Sequence, residues 1–219
     1  MTNLIKKLQK IYELYDRHVD TLELACEKYC ADCCTASVTM TQLEGRLIVE
    51  SISGEKYQHL CTRIMSSLDA PRYQPQITTN QYAQACMEKD PPPEDIPPAD
   101  SGKCPLLENE ACTIYSLRPF GCRCMVSTRT CRPFGQADID DFTLTVNTVF
   151  LQCIEHLDAD GWFGNFTDVL TRLITDDPKD GHCGPTVSNR RLPALMVPPP
   201  HLEKIDSLVR KLHAIIAGP

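Results

Sequence analysis

Apolar positions along this chain recur mostly at helical spacing. Leu4, Leu8, Ile11, Tyr15, Val19, Leu22 and Cys26 follow one another at intervals of three and four. That stripe predicts an amphipathic helix over 3–29 that delivers Cys26 and Cys30 at its end. Thr41 and Glu44 form a capping-box pattern. The helix they open continues through Leu43, Leu47 and Ile48, then Tyr57, Leu60, Ile64 and Leu68. Gly54 divides this stretch into two helices or a kink, and Pro71 and Pro75 end it. A short helix is predicted over 80–89.

Five prolines between 90 and 103 exclude a helix or central strand and predict an extended surface loop. Residues 104–115 suit a small hairpin turning at Glu108-Asn109-Glu110. Ser116 then caps a short helical turn with Pro119 in its first turn. Ile139, Phe142, Val146, Val149, Phe150, Cys153 and Leu157 mark a helix over 137–158, and another begins at Asn165 and runs over 165–175. Six prolines keep 177–200 irregular. A last helix over 201–217 carries Leu202, Ile205, Val209, Leu212 and Ile216 on one side. No internal repeat and no alternation of strand and helix is visible. The expected fold is mainly α: one compact helical domain over 1–219 with one small β-hairpin. Its metal-binding core spans about 24–153, and a C-terminal helical segment covers 160–219.

Composition narrows the function classes. An apolar share of 42% over 219 residues suffices for a substantial core. The net charge of -7 lacks the footprint of a nucleic-acid binder and disfavours an anionic membrane surface. No apolar run approaches the roughly 18 residues of a membrane span, and the first ten residues do not form a secretory signal. The expected location is the cytoplasm.

Cysteine usage changes the picture most. There are 13, an odd number that argues against a fully paired disulfide scaffold. In a reducing compartment clustered thiols read as metal ligands or redox centres. The first cluster is Cys26-x3-Cys30-x2-Cys33-Cys34. Adjacent side chains point in different directions, so Cys34 serves a second metal or packs in the core. The second cluster holds Cys104, Cys112, Cys122 and Cys124. A hairpin brings Cys104 and Cys112 together, and the following turn returns Cys122 to them. Between Lys103 and Arg132 five basic residues face two acidic ones, a net +3. Four thiolates on a divalent ion leave about two negative charges. Arg118 and Arg123 are therefore candidates to offset that charge and to donate to sulfur. Cys131 can close a site. Cys153 with His156 one turn later can supply ligands or simply pack. Cys61 and Cys86 read as core or half-buried thiols, and Cys183 sits beside His182 in an irregular loop.

The two clusters resemble the YkgJ-like cysteine-cluster family of zinc- or iron-chelating domains. The likeness rests on Cys26, Cys30, Cys33 and Cys34, and on Cys104, Pro105, Leu107, Cys112, Ile114, Tyr115, Arg118, Pro119, Cys122 and Arg123. It covers about 24–124. The resemblance implies chelation of zinc or iron, an iron–sulfur cluster included, and stops short of a reaction. It also implies an eighth cysteine, for which Cys124, Cys131 and Cys153 all remain open.

The leading expectation is therefore a metal-binding protein with one or two thiolate sites and metal ions as its partners. The alternative is an iron–sulfur-dependent enzyme, methyltransferase-like or redox, with an open metal position. Cys26-x3-Cys30-x2-Cys33 matches the cluster spacing of radical S-adenosylmethionine enzymes, but the barrel that carries it there is not indicated. A metal-trafficking or sensing module is a third reading. A dithiol redox role lacks its βαβ setting. No protein partner, acid–base constellation or phosphate-cradling glycine loop stands out.

Overall fold

The computed structural model describes residues 2–26, 30–94, 101–175 and 183–218. About half of the chain is helical, in eight α-helices among the described residues, so the mainly α expectation holds. None of these helices is long and apolar enough to cross a membrane.

Helix α1 (Asn3–Val19) begins where the Thr2 side chain accepts from the Ile5 amide. It buries Ile5, Leu8, Ile11, Tyr12, Leu14 and Tyr15, while Leu4 is exposed. The helix stops ten residues short of the predicted end. Asp20 caps it, and the Thr21 hydroxyl donates to the His18 carbonyl at 2.7 Å. The apolar rhythm continues beyond Val19 for another reason: Leu22, Leu24 and Cys26 line a cavity rather than a helix face. Residues 27–29 lie outside the described residues.

Helices α2 (Gln42–Ser51) and α3 (Glu55–Met65) are separated at Gly54, whose φ of 60° suits glycine. The predicted capping box forms, with Thr41 and Glu44 each satisfying the other's amide. Helix α4 (Thr79–Glu88) opens on a second box, Thr78 with Gln81. The buried Glu155 carboxylate accepts from the Thr79 and Asn80 amides at its start. Helix α6 (Asp141–Leu157) starts after Asp140, which caps the Phe142 and Thr143 amides. Ile139 therefore precedes the helix it was assigned to. Helix α7 (Phe166–Ile174) follows the predicted Asn165 cap. Helix α8 (Leu202–Ala217) buries Ile205 and Leu212 but leaves Leu202 56% exposed.

The structure adds a sheet that the sequence pattern did not indicate. Strands β1 (Thr39–Thr41), β4 (Trp162–Asn165) and β5 (Val187–Ser188) form it in the order β1-β4-β5, antiparallel throughout. Thr39 pairs with Asn165, and Trp162 with Ser188. The predicted hairpin is present as β2 (Leu107–Glu108) and β3 (Ala111–Cys112). The next segment differs from expectation. A 3-10 turn spans Tyr115–Leu117, and Pro119 caps the short helix α5 (Phe120–Arg123) instead of sitting inside it.

Two apolar clusters make the core. Helices α1, α6 and α8 build one around Tyr15, Phe120 and Phe150, whose rings stack or meet edge to face. Helices α2, α3 and α7 build the other with Met40, Leu106 and Ile114. Cys104 and Cys112 pack against the second cluster and Cys124 against the first, so the cysteine-rich segments run along the seam.

Candidate functional site

The hairpin is shaped by its turn. Asn109 and Glu110 both have positive φ, 48° and 61°, the geometry of a two-residue turn matched to strand twist. Leu107 faces Cys112 across the ladder. The Arg63 guanidinium of α3 clamps the entry strand, donating to the Pro105 carbonyl at 2.7 Å and the Leu107 carbonyl at 3.0 Å.

The first cysteine cluster is stitched to this hairpin through the backbone. The Cys104 amide donates to the Cys34 carbonyl at 3.0 Å, beside a Thr35–Lys103 bridge. The Ala36 amide donates to the Gly102 carbonyl, and the buried Asn165 amide group holds the Ala36 carbonyl at 2.7 Å. Cys34 and Cys104 are thus fixed as neighbours although 70 positions separate them.

Helix α5 supplies Cys122. Its Phe120 ring is fully buried, and the Phe120 amide donates to Glu44 at 2.7 Å. The same carboxylate accepts from the Tyr12 hydroxyl at 2.7 Å and from Thr41. Gly121 lets α5 approach β1: a Cβ there would stand 2.7 Å from the Thr39 carbonyl oxygen.

These elements enclose a cavity of about 590 Å³, and seven cysteines line it: Cys26, Cys30, Cys33, Cys34, Cys104, Cys112 and Cys122. Larger hollows of about 830 and 930 Å³ along α4 and α3 contain no cysteine. All thirteen cysteines are free of disulfides. Among the described residues no three cysteine, histidine or carboxylate side chains already converge at ligand spacing.

Arg118 and Arg123 also line the cavity, in different ways. Arg123 is buried; it pairs with Asp16 at 2.7 Å, donates to the Ser116 and Arg118 carbonyls and lies over the Tyr12 ring. It fastens α1 to the hairpin exit. Arg118 rests on the exposed Tyr115 ring at 4.0 Å.

Burial dominates the electrostatics. It pushes the Cys104 thiol up to about 11 and raises Cys112, which Arg118 pulls partly back. Cys122 is raised by burial and then by Cys104 and Cys112. Cys34 moves the other way, because the adjacent Cys33 thiol hydrogen-bonds to it. Burial thus disfavours the thiolate form of Cys104, Cys112 and Cys122.

The other candidates fall elsewhere. Cys124 packs into the first core cluster, and burial pushes its thiol up to about 12. Cys153 is buried there too, with its thiol raised to about 12 by burial alone. His156 is engaged by the Leu192 amide. Cys131 is off the cavity lining but close enough to raise the Cys26 thiol. Cys61 is half-buried as expected, whereas Cys86 is exposed on α4, against expectation. Cys183 lies near the buried Arg72–Asp168 pair, and His182 is outside the described residues.

Glu44, Arg63, Asp16 and Gly121 support the site and were not read as such. The capping box flagged Glu44 as a helix start, and no short-range signal reveals its contacts with Tyr12 and Phe120. No protein-family model matches this chain, and neither a curated protein nor a solved structure aligns with it significantly.

Proposed function

We propose that this chain is a metal-chelating protein of the YkgJ-like kind, in which Cys34, Cys104, Cys112 and Cys122 hold zinc or iron, the latter singly or as an iron–sulfur cluster. The observation that carries the reading is the pairing of the Cys104 amide with the Cys34 carbonyl. It brings the end of one cysteine cluster to the start of the other, beside a cavity lined by both. The donor set fits the group. Unpaired thiols suit zinc and iron–sulfur clusters. Arg118 lies beside the sulfurs, where its charge offsets theirs. Metal ions are the ligands in this reading, and the reducing cytoplasm is the compartment that keeps the thiols free.

One observation favours an enzyme as the second reading. The cavity is far larger than a metal ion, and its remaining wall includes Leu22, Leu24, Val38 and Tyr115. Its size falls in the range of small-molecule sites. An iron–sulfur centre with an open position would meet a substrate there.

Elemental analysis and an absorption spectrum of protein purified without air test both readings. Zinc in a colourless protein supports chelation alone; iron with sulfide and a brown chromophore supports the cluster and strengthens the enzyme reading. Cys112→Ser is expected to lose the metal. Wild-type metal content in that variant, or a folded wild-type protein with none, overturns the proposal.

A further inference from the structure

The hollow of about 830 Å³ along α4 has two walls of opposite charge. One is the C-terminal turn of α4 with Ala85 and Glu88, continued by Asp90 and the Pro91-Pro92-Pro93 run. The other is Asn189, Arg190 and Arg191, which follow β5. This second stretch is irregular, yet its backbone is held at successive residues. The Asn189 amide donates to the Gly161 carbonyl at 3.0 Å. Asn80 is fully buried and donates to the Arg190 carbonyl at 3.0 Å. The Leu192 amide donates to His156 at 3.1 Å, and buried Gln152 grips the Ala194 carbonyl and the Met196 amide. The facing wall is stiff because proline fixes φ, and Gln76 donates to the Glu94 carbonyl just beyond it.

The charged heads, by contrast, are uncommitted. The guanidinium groups of Arg190 and Arg191 are exposed and make no ion pair or hydrogen bond among the described residues. The Asp90 carboxylate is equally free there, and Glu88 accepts only from the Gln84 side chain. Fixing the backbone in advance reduces the entropy lost when the arginine heads grip an anion. Guanidinium groups suit carboxylate and phosphate in particular. On the other wall, the two carboxylates add to the partial negative charge at the C-terminus of α4, which favours a cation. Ile77, Ala85, Ala159 and the prolines supply apolar surface between the two. Asn189 is only 3% exposed and leaves its Oδ1 without a partner among the described residues. An unpaired buried acceptor is costly, and a donor brought by a ligand would relieve it.

We propose that this hollow binds a small zwitterion. Its carboxylate or phosphate lies on Arg190 and Arg191, its ammonium lies on Glu88 and Asp90, and the hydrocarbon between them crosses Ile77 and the prolines. The hollow shares no lining residue with the thiol cavity, so this site and the metal reading stand or fall separately.

The test is a chemical-shift titration of the full chain with glycine, γ-aminobutyrate, ε-aminocaproate and O-phosphoethanolamine, against butyrate and butylamine as the separated halves. At least one zwitterion is expected to bind about tenfold more tightly than either half and to shift the amides of 85–90 and 189–191. A best ligand among the amino acids identifies the anion as carboxylate; O-phosphoethanolamine as the best identifies phosphate. In Arg190→Gln/Arg191→Gln the preferred zwitterion should fall to the affinity of butylamine, and in Glu88→Gln/Asp90→Asn to that of butyrate. All four side chains are exposed, so both variants should fold. Zwitterions that bind no better than their halves, shifts that miss both walls, or variants that bind as wild type overturn the proposal.

Discussion

At the scale of single residues, Asp158 gives the sharpest expectation. Its carboxyl follows α6, accepts from the Leu43 amide and from Asn189, both at 3.0 Å, and is buried. Burial pushes it up to about 7; Glu44 adds to the rise, while the hydrogen bonds and Arg46 oppose it. Unfolded, an aspartate titrates at about 3.9. Between those values the folded protein holds a proton that the unfolded chain has released. Stability therefore falls as pH rises across that window, and the loss is complete above about pH 7. Asp158→Asn keeps an acceptor oxygen for Leu43 and Asn189 but cannot ionise. Thermal melts between about pH 5 and about pH 8 should show the variant losing less stability with pH and melting above wild type at the alkaline end. The difference between the two curves is what matters, because burial lowers His18 and His156 and these contribute the opposite slope. A variant that melts below wild type at about pH 8 removes Asp158 as the cause.

At the scale of elements, α5 shows both what was legible and what was not. Apolar periodicity announced α2, α3, α6 and α8, and cap residues marked the starts of α2 and α7, because each such helix buries one face. The hairpin was legible from its turn. The three-stranded sheet was not: strands of two to four residues carry too little alternation, and β1 pairs with β4 more than 120 positions away. The site was half legible for the same reason. Cysteine spacing named the ligand candidates, but only tertiary contacts show that Cys124 and Cys153 pack against the first core cluster. The seating of α5 likewise depends on a distant residue, since Gly121 abuts the Thr39 carbonyl and the Val38 side chain. Gly121→Ala must push α5 off β1 and carry Cys122 with it. Overpacking of this kind costs about 1–3 kcal/mol. Urea unfolding should register that loss, and the metal content should fall with it. An alanine variant with full metal content and unchanged stability means that α5 can shift without consequence for the site.

At the scale of the whole molecule, the proposed site is a cross-link between parts that lie far apart in the sequence. Its ligands come from the segment before β1, from the hairpin and from α5, and the hairpin packs on one core cluster while α5 inserts Phe120 into the other. An ion bound there favours the state in which both clusters are assembled, because the unfolded chain does not hold those sulfurs together. At about 100 times its dissociation constant, a ligand that binds only the folded state adds about 2.7 kcal/mol. For a chain of this length that corresponds to a rise in melting temperature of roughly 5–10 °C. Zinc-loaded wild-type protein should melt that much higher than chelator-treated protein. Cys61→Ser, on α3 and away from the cavity lining, should keep the whole shift, whereas Cys112→Ser should abolish it. The comparison separates a structural ion from an incidental one: equal melting temperatures for loaded and stripped protein would place the metal outside the seam, with the two core clusters holding together on packing alone.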